Sequence, residues 1–272
     1  MKKFSTIALL LLLGGTTLWI VSCSKKDKDI NEVSGIAADD NIAENSFIDL
    51  KDAGDQAGTM ATMKGYKKSK DSCMHVKLVS YDSITKKGKL VVDFGETDCV
   101  CKDGKTRRGK IDIEYKGANG LEGSEIIYTP DNYFVNTYGV SGTKTVKYID
   151  KFTLSIKVEK GVITKSDGST ITWSTDRVRK MIAGYDTPLN AFDDTYEITG
   201  VSSGMNSSKS HMFTILSPLV KSTGCQWIKS GRLKIEREGR KDALIDFGDG
   251  TCDDKGKLTV GSWTKDITLK KW

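Results

Sequence analysis

The chain has 272 residues, 29 % of them charged, a net charge of +6 and six cysteines. Opposite charges are interspersed along it, so the mild basic excess describes an ordinary solvated surface and excludes a nucleic-acid binder. The length holds a real core, as one large or two small β domains.

Lys2 and Lys3 precede an apolar run from Ile7 to Val21, interrupted by Gly14-Gly15-Thr16-Thr17. A basic start, an apolar stretch and a small-residue end form a secretory signal. The ending Ile20-Val21-Ser22-Cys23 resembles the lipobox of bacterial lipoproteins. That resemblance implies a diacylglyceryl group on the Cys23 sulfur, cleavage before it and acylation of the new amine. The alternatives are an uncleaved membrane anchor and a soluble secreted product. More than one acyl chain, at about 0.8 kcal/mol per buried methylene, makes attachment stable.

Cleavage removes residues 1–22, which hold two lysines and no acids, so 250 residues remain and the net charge falls to +4. Ser24-Lys25-Lys26-Asp27-Lys28-Asp29 follows. A solvated tether accounts for it physically. It also resembles the charged export tag of Bacteroidota surface lipoproteins, which implies an outer-membrane protein facing the cell surface rather than the periplasm. Residues 23–70 read as a tether with one short helix within 42–60, where Phe47, Leu50 and Ala57 make a thin stripe weakened by Gly54 and Gly58.

From His75 the pattern turns to strands. Apolar and polar residues alternate in Lys110–Tyr115, Phe152–Val158 and Leu233–Glu236. Turn signals recur at Lys87-Gly88, Asn119-Gly120, Asp167-Gly168, Gly204 to Asn206, Glu238-Gly239 and Lys255-Gly256. The expected fold is all-β, of antiparallel sheets arranged as a sandwich or an elongated meander, with a barrel as the further option. Two related units, residues 71–160 and 161–272, share an echo: Val91-Val-Asp-Phe-Gly-Glu-Thr-Asp-Cys99 and Leu244-Ile-Asp-Phe-Gly-Asp-Gly-Thr-Cys252. Each has a cysteine upstream, Cys73 and Cys225. Folding about Glu238–Lys241 brings Cys225 beside Cys252, and a turn at Lys86–Gly88 brings Cys73 beside Cys99 or Cys101. The exported setting sustains disulfides, and with Cys23 lipidated an odd cysteine is left over.

Chemistry-bearing candidates are few. Asp246, Asp249 and Asp253 offer oxygens for calcium, without the spacing of an EF-hand; turn formation is the simpler role. Arg177 and Arg179, in register with Trp173, could hold an anionic ligand, or serve cross-strand ion pairs. The mature tryptophans Trp173, Trp227, Trp263 and Trp272 are core by default, or a glycan-stacking platform if exposed. His75 and His211 stand in no nucleophile or metal motif, and no catalytic constellation or cofactor is indicated.

Several motifs together resemble a family of uncharacterised predicted lipoproteins of Bacteroidota. They are Arg107-Arg-Gly-Lys-Ile-Asp-Ile-Glu-Tyr115, Gly168-Ser-Thr-Ile-Thr-Trp173, Gly184-Tyr-Asp-Thr-Pro188, Asp194-Thr-Tyr-Glu-Ile-Thr-Gly200, Cys225-Gln-Trp-Ile-Lys-Ser-Gly231 and Asp266-Ile-Thr-Leu269. The resemblance spans residues 70–272; it implies an address and a fold and carries no chemistry with it. The leading expectation is a lipid-anchored, non-catalytic binding or structural module whose partners are the membrane and an unknown ligand. The alternatives are a glycan-binding or glycan-active protein of nutrient uptake and an assembly factor that engages another envelope protein.

Overall fold

A computed structural model of the chain describes residues 25–62, 73–187, 190–206 and 209–269. The signal segment, Cys23 and Trp272 lie outside these residues. Among the described residues, fourteen strands and one 3-10 turn (Ala191–Asp193) follow one α-helix, α1 (Lys25–Thr62). They are β1 (His75–Asp82), β2 (Lys87–Asp93), β3 (Cys99–Val100), β4 (Thr106–Lys116), β5 (Glu125–Val135), β6 (Tyr138–Tyr148) and β7 (Thr153–Thr164), then β8 (Thr170–Ala183), β9 (Thr195–Asn206), β10 (Lys209–Ser222), β11 (Ser230–Arg237), β12 (Ala243–Asp249), β13 (Lys255–Val260) and β14 (Trp263–Thr268).

All strands join one antiparallel sheet, and each pairs with the next in the chain; only the short β3 leaves the path, pairing with β4 alone. Of the arrangements expected, this is the meander. β1 and β14 form its two edges. The alternation seen in sequence holds: Ile111, Ile113, Leu154, Val158, Leu233 and Ile235 all face the buried side. Three of the turn signals fall in strands. Lys87-Gly88 and Lys255-Gly256 begin β2 and β13, Gly204 to Asn206 ends β9, and the first hairpin turns at Ser83–Lys86 instead. Lys86 itself takes the left-handed conformation there, with φ 55°.

The ladders of the sheet are bulged. The β4–β5 register slips between Arg108 and Lys110, and the β6–β7 register between Ser141 and Thr143. The skipped residues are Gly109, with φ 84°, and Gly142, with φ 115°. A Cβ on Gly109 would sit 2.0 Å from the Asn132 carbonyl oxygen, so the close crossing there admits only glycine. Each bulge adds bend and twist.

The region expected to be a tether with a short helix is instead a 38-residue helix. At 1.5 Å per residue it is about 57 Å long. Its contacts with the sheet run from β1 to Arg237 of β11. Its buried positions include Asp29, Val33, Ile36, Asp40, Ala43, Phe47, Leu50, Gly54 and Ala57, a 4-3 spacing that keeps one stripe on the sheet, with Asp39, Ser46, Asp49 and Ala53 buried beside it. Two cores result. Ala43 to Ala57 pack with β2 and β4 to β8, and Val33 with Ile36 packs with β10 to β13. Phe47 stacks on Trp173 at 5.5 Å, and opposite it Gly161 leaves room that a Cβ would fill, 3.0 Å from the Phe47 ring.

Both expected disulfides are present, Cys73–Cys99 and Cys225–Cys252, each with a Cα separation of 5.8 Å. Cys101 is the free, half-buried thiol. The Asp-Phe-Gly echo has one mechanism in both places. Asp93 accepts from the Gly95 N–H at 2.8 Å, and Asp246 accepts from the Gly248 N–H at 2.9 Å. Both glycines are left-handed, with φ 85° and 96°. The aspartate closes a side-chain turn, the left-handed glycine bulges the strand without ending its pairing, and the phenylalanine packs against the core.

Candidate functional site

The helix is held by ion pairs as much as by apolar contact. Asp49, 1 % exposed, accepts from Arg107 Nε at 3.0 Å, Lys105 Nζ at 2.7 Å and Tyr133 Oη at 2.5 Å. Burial opposes its ionisation, yet hydrogen bonds from Arg107, Lys105 and Tyr133 outweigh burial and hold the carboxyl below its ordinary range. Asp40 accepts from Trp173 Nε1 at 2.7 Å and Ser202 Oγ at 3.0 Å. Arg177 pairs with Glu44 and donates to Ser202 Oγ at 2.9 Å. At the N-terminal end Arg237 meets Asp29 at 3.4 Å, and Arg240 meets Glu32 at 3.0 Å.

These contacts settle where the sequence candidates lie. Trp173 and Arg177 do share a face, but α1 covers it, and Arg177 is committed to the helix acids. Arg179 is half-buried, with its guanidinium 4.7 Å over the Tyr196 ring. Trp227 and Trp263 are also half-buried. Asp246, Asp249 and Asp253 do not converge on one point: each closes its own turn, onto Gly248, Thr251 and Lys255 in that order. His211 is buried with both ring nitrogens unpartnered among the described residues, and burial lowers its pKa.

What the sequence did not reveal is a cavity of about 740 Å³ where the C-terminal part of α1 meets the first hairpin. Tyr81 and Leu78 from β1, Tyr115 from β4 and Tyr148 from β6 line it. Asp55 and Gly58 close it from the helix, and Asn119 comes from the β4–β5 loop. Each arrives for a local reason. Tyr115 follows Ile111 and Ile113 on the inward face of β4. Gly58 lacks a side chain where a Cβ would stand 3.1 Å from Tyr115 Oη. The nearby Gly54 admits the Tyr128 ring, 2.4 Å from where its own Cβ would be.

Burial and the Asp55 carboxylate push the Tyr115 hydroxyl up to about 12, and burial raises Tyr148 as well, so both are proton donors at neutral pH. Tyr128, fully buried, has electrostatic contact with Asp55, Tyr115 and Tyr148, and its hydroxyl has no hydrogen-bond partner among the described residues. Leaving such a group unpaired costs about 1–3 kcal/mol. The cavity lies within the size range of small-molecule sites and has their character, with apolar walls and a few placed polar groups. Its chemistry is hydrogen bonding and aromatic contact. No family model, curated protein or solved structure matches the chain.

Proposed function

We propose that this is a lipid-anchored envelope protein, displayed on the outer-membrane surface, that acts as a non-catalytic binding module. The observation that carries the binding role is the tyrosine-lined cavity between α1 and the first hairpin. It offers donors, an acid and aromatic surface, with no nucleophile–base pair among its lining residues. The lipobox ending at Cys23 and the charged stretch after it support the address. On this reading the sheet is a rigid support and the cavity the working part.

The address is tested by fatty-acid labelling and by proteinase added to intact cells. Labelling is expected to vanish in Cys23→Ala, and the wild-type chain to be degraded on unbroken cells. Labelling that persists in the variant would refute the anchor. A chain protected on intact cells but cut after lysis would refute surface display.

A further inference from the structure

We infer that the cavity at the α1–first hairpin junction is a saccharide-binding site, with Asp55, Tyr115 and Tyr148 as its polar contacts. This deepens the binding-module reading and rests on it for the role of the cavity. A sugar ring has a face of C–H groups and a rim of hydroxyls that both donate and accept. Tyr81, Tyr115 and Tyr148 match that division, each with an apolar ring and a polar tip. Asp55, which already accepts from Lys51, has carboxylate lone pairs left for a ligand hydroxyl, Asn119 both donates and accepts, and the protonated tyrosines donate.

The Tyr128 hydroxyl, fully enclosed and unpartnered among the described residues, does not line the cavity, so a ligand there meets Tyr115, Tyr148 and Asp55 and not Tyr128. A purely apolar ligand would cover the tyrosine hydroxyls and the Asp55 carboxylate, which pairs with Lys51, with hydrocarbon that offers them no hydrogen bond. Lys86 and Lys89 also line the cavity. Lys89 pairs with Asp112 at 3.5 Å and Lys86 is solvent-exposed, so neither is a buried cation that would demand a phosphate.

The test is a glycan array probed with residues 24–272, the processed chain less its anchor cysteine. Binding to at least one saccharide class is expected. Tyr148→Phe and Asp55→Asn should each weaken it about tenfold, the scale of one lost hydrogen bond to a polar ligand. Asp249→Asn, far off in the second hairpin, should leave it unchanged. An array with no binding overturns the inference, as does binding that the two cavity variants leave intact. Tight binding of oleate, reduced by Tyr148→Ala and not competed by any sugar, also overturns it while leaving a binding module in place. Failure of the proteinase experiment would remove the surface address without touching the array result.

Discussion

The two cysteine-closed hairpins share the Asp-Phe-Gly turn and a 5.8 Å Cα separation, yet they occupy different places in the sheet. β1 is an edge strand, and its outer residues Leu78, Val79 and Tyr81 are all more than half exposed. β11 lies between β10 and β12, and its Leu233, Ile235 and Arg237 are buried. The motif therefore supplies a crosslink and a bulge, while position in the sheet decides what is buried. Where the hairpin lacks an outer neighbour, its strands line the tyrosine cavity; where neighbours flank it, the inward residues of β11 are core.

The hold of the helix on the two halves should differ most. Asp49→Ala leaves Arg107 with Asp103 alone and takes from Lys105 and Tyr133 their buried acceptor, and is expected to cost about 3 kcal/mol in urea unfolding. Asp29→Ala should cost clearly less, because it removes one contact at 3.4 Å and Arg237 keeps Glu32 at 3.8 Å and the Lys241 carbonyl at 2.6 Å. Equal losses would show that the two ends are held alike. Next come the crosslinks. Replacing either cysteine pair by serine removes a loop constraint worth about 3.5 kcal/mol in the chain-entropy model. The consequences should separate in hydrogen exchange. Loss of Cys73–Cys99 is expected to open β1 and β2 alone, and loss of Cys225–Cys252 to lower protection from β10 to β13. Matching exchange patterns would undo the edge-versus-interior distinction.

Smaller effects come from two helix glycines of opposite meaning. Gly54→Ala forces a methyl against Tyr128 and should destabilise by about 1–2 kcal/mol, overpacking exceeding the helix-propensity gain. Gly35 has nothing within 4 Å of a would-be Cβ, so Gly35→Ala should stabilise by about 1 kcal/mol. Thermal melts of both variants give the signs.

The least costly probe is acid. His211, in β10, has a folded pKa below its unfolded value near 6.5, so its stabilising share is complete above that pH and is lost as pH falls below it. In the first half, the hydrogen bonds from Arg107 bring Asp103 down to about 2 from 3.8, so its share is lost only between those values. At a half-exposed carboxylate, screening limits that share to about 1 kcal/mol. His211→Phe should flatten the upper limb of a pH–stability curve, and Asp103→Asn the lower one. Unaltered limbs in both variants would reject this assignment.

The sheet was legible because alternating apolar residues state their own facing, as at Ile111, Ile113 and Tyr115. The disulfides followed from hairpin geometry, which left open only whether Cys99 or Cys101 pairs with Cys73. The long helix was not legible. Its buried stripe includes Asp29, Asp40 and Gly54, which break any apolar periodicity, and the groups that make those residues favourable are Arg237, Trp173 and Tyr128 in distant strands. The cavity was hidden for the same reason: Asp55, Tyr81, Tyr115 and Tyr148 come from four elements that only the finished fold gathers.

The comb of ion pairs along α1 also sets an order in time. Asp49 reaches 58 residues forward to Arg107, Asp40 reaches 133 to Trp173, and Asp29 reaches 208 to Arg237. As the chain emerges, the C-terminal end of the helix finds its partners first and the N-terminal end last. The helix is thus seated backwards, against the direction of synthesis, and its first turns wait for nearly the whole sheet. Contacts of such separation make for slow folding.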